Sequence, residues 1–278
     1  MPDKNLLLTK QFAHDSRVFT FCFPPGEKSR YIFEAVHNLC TWDYSLNKRV
    51  LEIAASLITG AFVDVGANIG TDTVFASEVF KKLFAFEMDS SNVQYLKKNL
   101  ELNQANCTII PRPVAEVSGQ KISLKRNPTN MGGTQISYVK GESQDETIET
   151  IALSDYDFQQ DISFLHIDTE GMDAKVLLGA AGKIQKQGKT PIIKFEFSPA
   201  KMHLFESSGA DLIKFFEIFD YKLFMPAPVQ LAPLSLSCLL MLFEDWKSLP
   251  IAPWMDLYAF PRKHEALTSA LIGKKPRV

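Results

Sequence analysis

The segment Phe62-Val63-Asp64-Val65-Gly66-Ala67-Asn68-Ile69-Gly70 constrains this chain most. A short apolar run of strand character passes into a glycine-containing turn and then into a helical pattern, an order that brings bare backbone close to a ligand. It is one unit of a longer rhythm. Strand-like runs at 61–65, 82–86, 108–113, 164–168, 192–197, 223–225 and 257–260 alternate with helical patterns at 72–80, 91–103, 173–187 and 211–219, and another helix is expected at 46–58. Ser90 and Asp211 read as capping residues. Strands separated by helices build a parallel sheet through right-handed crossovers and hold ligands outside the carboxyl ends of the strands. The expected fold class is α/β, with a seven-stranded, mostly parallel sheet flanked by helices.

Two regions depart from the rhythm. Residues 1–59 read as an N-terminal cap or lid on a main domain spanning 60–278, with a turn at Pro24-Pro25-Gly26, a short helix at 31–39, and Trp42 and Tyr44 able to stack on a ligand or to pack the cap down. Between the third and fourth strands an insertion is expected, with a hairpin strand at 121–125 and a loop at Gly132-Gly133-Thr134 able to close over a site. Residues 223–243 carry no formal charge, but Pro226, Pro228 and Pro233 argue against a membrane helix. A loop with a short apolar helix or strand around 234–243 is expected, filling a core, roofing a pocket or forming a subunit contact.

Charge and cysteines narrow the partners. Thirty Lys plus Arg against thirty-two Asp plus Glu leave a net charge of −2, with no excess positive field for a nucleic-acid backbone. Cys22, Cys40, Cys107 and Cys238 are scattered, without a zinc or redox spacing. The N-terminal stretch MPDKNLLLTKQF has too short an apolar run for a secretory signal, so the expectation is a cytoplasmic protein.

Glu87 follows Gly66 by twenty-one residues, at the end of the next strand, where a carboxylate can take two ribose hydroxyls. A dinucleotide's pyrophosphate favours bare amides in a GxGxxG turn and is repelled by a nearby acid. Here the turn is GANIG with Asp64 two residues ahead, which suits the ammonium and sulfonium of S-adenosylmethionine better than NAD. An NAD-dependent oxidoreductase on a similar sheet and a non-catalytic cofactor-binding scaffold remain as alternatives.

The chain resembles the FkbM-type S-adenosylmethionine-dependent methyltransferases. The resemblance rests on VDVGANIGTDT at 63–73, FAFEMDSSNVQYLKKNLELN at 84–103, IETIAL at 148–153, HIDTEGMDAKVLLGA at 166–180 and PIIKFEF at 191–197. It implies a class I methyltransferase (Rossmann-like) fold whose last strand is antiparallel, and methyl transfer to an oxygen in most assigned members. It also implies that Asp64, Gly66, Asn68 and Gly70 surround the cofactor's methionine part while Glu87 holds its ribose. The chain departs from the family where Lys-Ile-Asp-Val-Glu-Gly is replaced by His166-Ile167-Asp168-Thr169-Glu170-Gly171, where Asp173 replaces Glu, and where Ser154 separates Leu153 from Asp155.

Methyl transfer to a hydroxyl needs the acceptor held near the methyl and its proton removed. His166, Asp168 and Glu170 are spaced by two, so an extended strand would project all three from one face, and Glu196 on the next strand could join them. Asp168 is expected near the methyl, with Glu170 or His166 as the base. Three further readings stay open: Glu170 as a helix cap with His166 paired to a carboxylate, a divalent-metal site built from these four side chains, and His203 as an alternative base. Lys97 and Lys98 read as the solvated face of a helix.

Overall fold

A computed structural model describes residues 8–14, 17–24, 33–34, 36–37, 44–125, 135–138, 147–227, 230–264 and 271. In chain order the main elements are β1 (Leu8–His14), β2 (Arg17–Phe23), α1 (Tyr44–Leu57), β3 (Ala61–Val65), α2 (Thr71–Ala76), β4 (Leu83–Phe86), α3 (Ser90–Leu102) and β5 (Thr108–Ile110). There follow β6 (Lys121–Lys125), β7 (Gln135–Tyr138), β8 (Thr147–Glu149), β9 (Ile162–Ile167), α4 (Asp173–Gln187), β10 (Ile192–Phe197), α5 (Pro199–Met202) and α6 (Gly209–Ile218). β11 (Tyr221–Ala227), β12 (Gln230–Leu234), α7 (Leu236–Glu244) and β13 (Met255–Pro261) complete the fold.

The main sheet has the order β12-β11-β13-β10-β9-β3-β4-β5. β10, β9, β3, β4 and β5 pair in parallel, whereas β13 runs antiparallel to both β10 and β11. All seven expected strands are present, and the last is the antiparallel one. β12 adds an eighth at the edge, antiparallel to β11. It and α7 occupy the uncharged stretch, which sends Leu223, Phe224, Leu231, Leu239 and Phe243 into the core and leaves Pro226, Pro233, Ser235, Ser237 and Met241 exposed. Pro228 lies outside the described residues, as do Trp42, Cys40, the Gly132-Gly133-Thr134 turn and most of the expected 31–39 helix. The expected insertion contains a three-stranded sheet of order β7-β6-β8.

Every residue of β3, β9 and β10 is buried, as central parallel strands require. One face of the sheet packs Val63, Val65, Leu165, Ile193 and Phe195 against α4, α6 and α7. The other packs Phe62, Phe164, Phe224 and Tyr258 with Val50 and Ala54 of α1. Two helix caps fall elsewhere than expected: Asp89 accepts from Ser91 N, and Ser208 accepts from Asp211 N. Ser90 and Asp211 are of residue types suited to capping, but the residue with extended backbone just before each helix is better placed to face its amides.

The β1–β2 hairpin is held by side chains that imitate a neighbouring strand. Asn99 and Asn103 stand one turn apart on the face of α3 and at its end. Asn99 Oδ1 accepts from Cys22 N at 2.6 Å while its amide donates to Cys22 O at 3.2 Å. Asn103 does the same for Thr20, at 2.9 and 2.7 Å. The i,i+4 rise of a helix, about 6 Å, approximates the two-residue repeat of a strand, about 6.7 Å, so two amides satisfy two strand residues. Phe12, Phe19, Phe21 and Phe23 then close over Phe75, Leu96 and Leu100. Tyr44 belongs to this packing, its ring against Phe19 and Phe75 and its hydroxyl donating to Glu78.

Candidate active site

The turn after β3 hangs from the end of β4, with Gly66 N and Ala67 N both donating to Phe86 O at 2.9 and 3.0 Å. Gly66 adopts φ 86° and touches the turn after β9 so closely that a Cβ there would stand 1.8 Å from the Asp168 carbonyl oxygen. Only glycine satisfies both demands. Gly70 (φ 89°) ends the turn and faces Leu96 of α3, so it shapes the loop from behind.

A pocket with about 520 Å³ of open space lies at the carboxyl ends of β3, β4 and β9. Gly66, Glu87, Met88, Asn92, Asp168 and Glu170 are among its walls. Glu87 accepts from Asn68 N at 2.8 Å and from Asp89 N at 2.7 Å. Burial outweighs these hydrogen bonds and pushes its carboxyl up to about 7. Asn68 itself sits at φ 51°, with its Oδ1 buried and without a hydrogen-bond partner; Thr169 Oγ1 is in the same condition.

Asp64 is placed differently from the expectation. It is 1% exposed, and its two oxygens are taken by the Thr73 hydroxyl and by His166 Nδ1, the latter at 2.8 Å. With one partner on each oxygen it ties β3 to α2 and β9, and it is not among the pocket walls. His166 is likewise drawn away. Strand register sets Asp64 beside His166 and His166 beside Lys194, forming a row across β3, β9 and β10. Asp72 closes this row, 3.4 Å from Lys194 Nζ and 3.8 Å from His166 Nε2, and Asp256 lies 3.1 Å from Lys194. Burial alone would lower the His166 pKa, but Asp72 and Asp64 outweigh it and raise the imidazole above its ordinary value.

The expected one-face alignment of His166, Asp168 and Glu170 therefore fails. β9 ends at Ile167, and Glu170 has φ 57°, which turns the chain out of the extended path. Asp168 does line the pocket and keeps open surface toward it. Enclosure by the walls, followed by the like charges of Glu196, Asp173 and Glu170, raises its carboxyl well above the usual range. The open surface moderates the first cause, so the crowding of carboxylates is the firmer one. The helix cap expected of Glu170 is absent, since the N-terminus of α4 carries no side-chain cap bond; Asp173, its first residue and fully buried, instead accepts from Thr169 N at 3.3 Å and Gly171 N at 3.1 Å in the turn before it.

Glu170 instead pairs with Lys201 Nζ at 2.5 Å, and Lys201 reaches Glu196 at 3.0 Å. Burial and the charge of Glu170 raise the Glu196 pKa, against the lowering effect of Lys201. Trp254 donates its indole N–H to Glu196, and the Lys201 ammonium lies 5.0 Å from the centre of its ring. Sequence reasoning did not single out Lys201, Trp254, Lys194 or Asp72, because most of their partners come from distant elements; the local signals were the charges Lys194 and Glu196 inside an apolar run and Lys201 five residues after Glu196. His203 bonds Phe243 O at 3.0 Å and packs on Phe243, outside the pocket walls. Among the described residues no group of three or more His, Cys, Asp or Glu side chains is arranged to hold a metal ion. Lys98 pairs with Glu101 on the exposed face of α3.

The methyltransferase FkbM domain model matches residues 64–223, more than half of the chain. The chain belongs to the FkbM methyltransferase family. Solved structures similar to this FkbM chain include a methyltransferase FkbM from Methylobacillus flagellatus KT, 16% identical, with 86% of this chain and 56% of that one covered and a TM-score of 0.41. Another is an rRNA methylase from Streptococcus thermophilus, at 11% identity, 79% and 95% coverage and a TM-score of 0.43. A third is a 16S rRNA methyltransferase of T. thermophilus in complex with AdoMet and guanosine, at 12% identity, 94% and 52% coverage and a TM-score of 0.42. The FkbM chain thus spans little more than half the length of the Methylobacillus protein. No curated protein matches it in sequence. No helix among the described residues is long and apolar enough to cross a membrane.

Proposed function

We propose that this FkbM chain transfers a methyl group from S-adenosylmethionine to a hydroxyl of a small metabolite or glycan precursor. The observation that carries the reading is a pocket with Glu87 and Asp168 among its walls and Gly66 bare at its floor. The fit to the cofactor is supported by two polar atoms that are buried and lack hydrogen-bond partners, Thr169 Oγ1 on a wall residue and Asn68 Oδ1 in the turn two residues after Gly66. S-adenosylmethionine, when bound, supplies a methyl group activated on a sulfonium.

Gly66, Asn68 and Gly70 would shape the cradle for the methionine part, with Asp64 holding that cradle from below. Glu87 would accept from the ribose hydroxyls. Asp168 faces the pocket as a carboxylate of raised basicity, able to hold the acceptor hydroxyl and take its proton. Glu170 and Glu196 share Lys201 and so set the field around Asp168. The same excess of carboxylates supports a small acceptor over a phosphodiester backbone.

Calorimetry should show S-adenosylhomocysteine binding and no NAD binding. Asp168→Asn should keep the fold and lower kcat by about 10²- to 10⁴-fold on the true acceptor, identified by label transfer into fractionated cell extract. Full activity of both Asp168→Asn and Glu170→Gln, with folding confirmed, would sink the carboxylate mechanism.

A further inference from the structure

Trp254 is 71% exposed, yet its orientation is fixed on two sides. Its N–H is spent on Glu196, which is itself 5% exposed, and Lys201 covers one ring face. Four separate segments meet here: the turn after β9, the strand β10, the short α5, and the connection that ends one residue ahead of β13. A surface tryptophan with no task would be free to turn, because ordering a large side chain costs entropy that an exposed position does not return. This one is locked with much of its surface in the open. Trp254 is also joined to the pocket through shared partners, since Lys201 binds Glu170, and Glu170 and Asp168 are both pocket walls.

The chemistry around it is selective. The carboxylates of Asp168, Glu170 and Glu196 outnumber the single ammonium of Lys201 in this cluster, which disfavours a phosphate or carboxylate on the acceptor. They also offer hydrogen-bond acceptors to a molecule rich in hydroxyl donors. An exposed indole beside such acceptors matches a ring with one C–H face and a hydroxylated edge.

We infer that Trp254, braced by Glu196 and Lys201, is the platform on which the methyl acceptor sits, and that this acceptor is a neutral pyranoside stacked on the indole with hydroxyls directed to Glu170 and Asp168. The inference rests on the methyltransferase reading above and names its acceptor class. Trp254 is then a specificity-determining residue, and Lys201 is a positioning residue that holds ring and carboxylates together.

The test uses the full chain saturated with S-adenosylhomocysteine. The indole N–H resonance of Trp254, assigned as the signal lost in Trp254→Phe, is followed while methyl glucopyranoside, galactopyranoside and mannopyranoside are titrated in. The corresponding hexose 6-phosphates and nucleoside monophosphates form the anionic comparison. At least one neutral glycoside should shift the Trp254 signal, and the anionic ligands should leave it in place. Trp254→Ala should weaken that glycoside's binding by about tenfold while Trp254→Phe stays within about threefold of the wild type. S-adenosylhomocysteine affinity, measured first by calorimetry, should be the same in all three proteins. If the cofactor product binds normally but no glycoside moves the Trp254 signal, or if nucleotides move it instead, the platform is overturned and the methyltransferase reading stands. If wild-type protein does not bind S-adenosylhomocysteine at all, that reading falls and takes the platform with it.

Discussion

Glu87 shows how one side chain can set a pH dependence. It receives two backbone N–H groups, yet burial lifts its carboxyl from an ordinary 4.5 to about 7. Between those values the folded chain binds a proton that the unfolded chain has released, so stability is fully present below about 4.5 and falls as pH rises toward 7. The full span corresponds to about 3 kcal/mol at most. Asp173, lifted by burial to about 8, acts with the same sign. The cofactor-free protein is therefore expected to melt at a lower temperature at pH 8 than at pH 5, and Glu87→Gln should remove part of that slope. If Glu87 takes the ribose hydroxyls as proposed, cofactor binding would have the opposite sign, because hydroxyls donate best to the ionised carboxylate. Calorimetric affinity for S-adenosylhomocysteine should tighten as pH rises through about 7 in the wild type and stay flat in Glu87→Gln. A wild-type affinity that does not change across that range would remove Glu87 from the ribose site.

At the scale of elements, the turn after β9 is what separates the pocket from the buried charge row below it. Asp173 holds this turn by taking the N–H groups of Thr169 and Gly171, and Glu170 tolerates φ 57° within it. Asp173→Ala would strand two amides, at a cost of about 2 to 3 kcal/mol in urea denaturation, and Asp173→Asn, which keeps one acceptor, about half of that. Equal stability of all three proteins would mean that the turn does not depend on the Asp173 carboxylate. The strands on either side were legible in the sequence because central parallel strands are short continuous apolar runs bounded by turn residues. β3 and β10 match their expected limits, and α4 does so at both ends. The turn was not legible. The spacing of His166, Asp168 and Glu170 predicts one face only while the backbone stays extended, whereas the strand ends at Ile167 and the chain turns at Glu170 and Gly171, the latter packed so closely on Lys201 that a Cβ would stand 2.8 Å from two of its backbone atoms. The role of His166 depends on register: Asp64 and Lys194 become its neighbours only when three strands align, which no local pattern encodes. β12 was hidden for another reason, since Pro233 argues against a strand except at a sheet edge, which is where β12 lies.

For the whole molecule, the decisive link is the one joining the N-terminal hairpin to the turn after β3. Asn99 is completely buried and serves both, with its amide donating to Cys22 O in β2 and, at 2.8 Å, to Ile69 O in the turn after β3. Asn103 serves the hairpin at Thr20 and makes no bond to the turn; its remaining partner is Asn99 O, at 2.8 Å. The pair thus allows the two connections to be separated. Asn103→Ala should release the hairpin locally, raising hydrogen exchange at Thr20, while S-adenosylhomocysteine affinity stays at the wild-type value. Asn99→Ala should release Cys22 as well and leave Ile69 O without its donor, so cofactor affinity should fall together with a loss of about 1 to 3 kcal/mol in stability. The two effects have one cause, because a buried carbonyl that loses its partner makes the turn shift toward any available donor. If Asn99→Ala loosens the hairpin but leaves affinity intact, the turn is held by its bonds to Phe86 O and Glu87 without Asn99, and the hairpin is a covering over Phe75 and Leu96 with no bearing on the pocket.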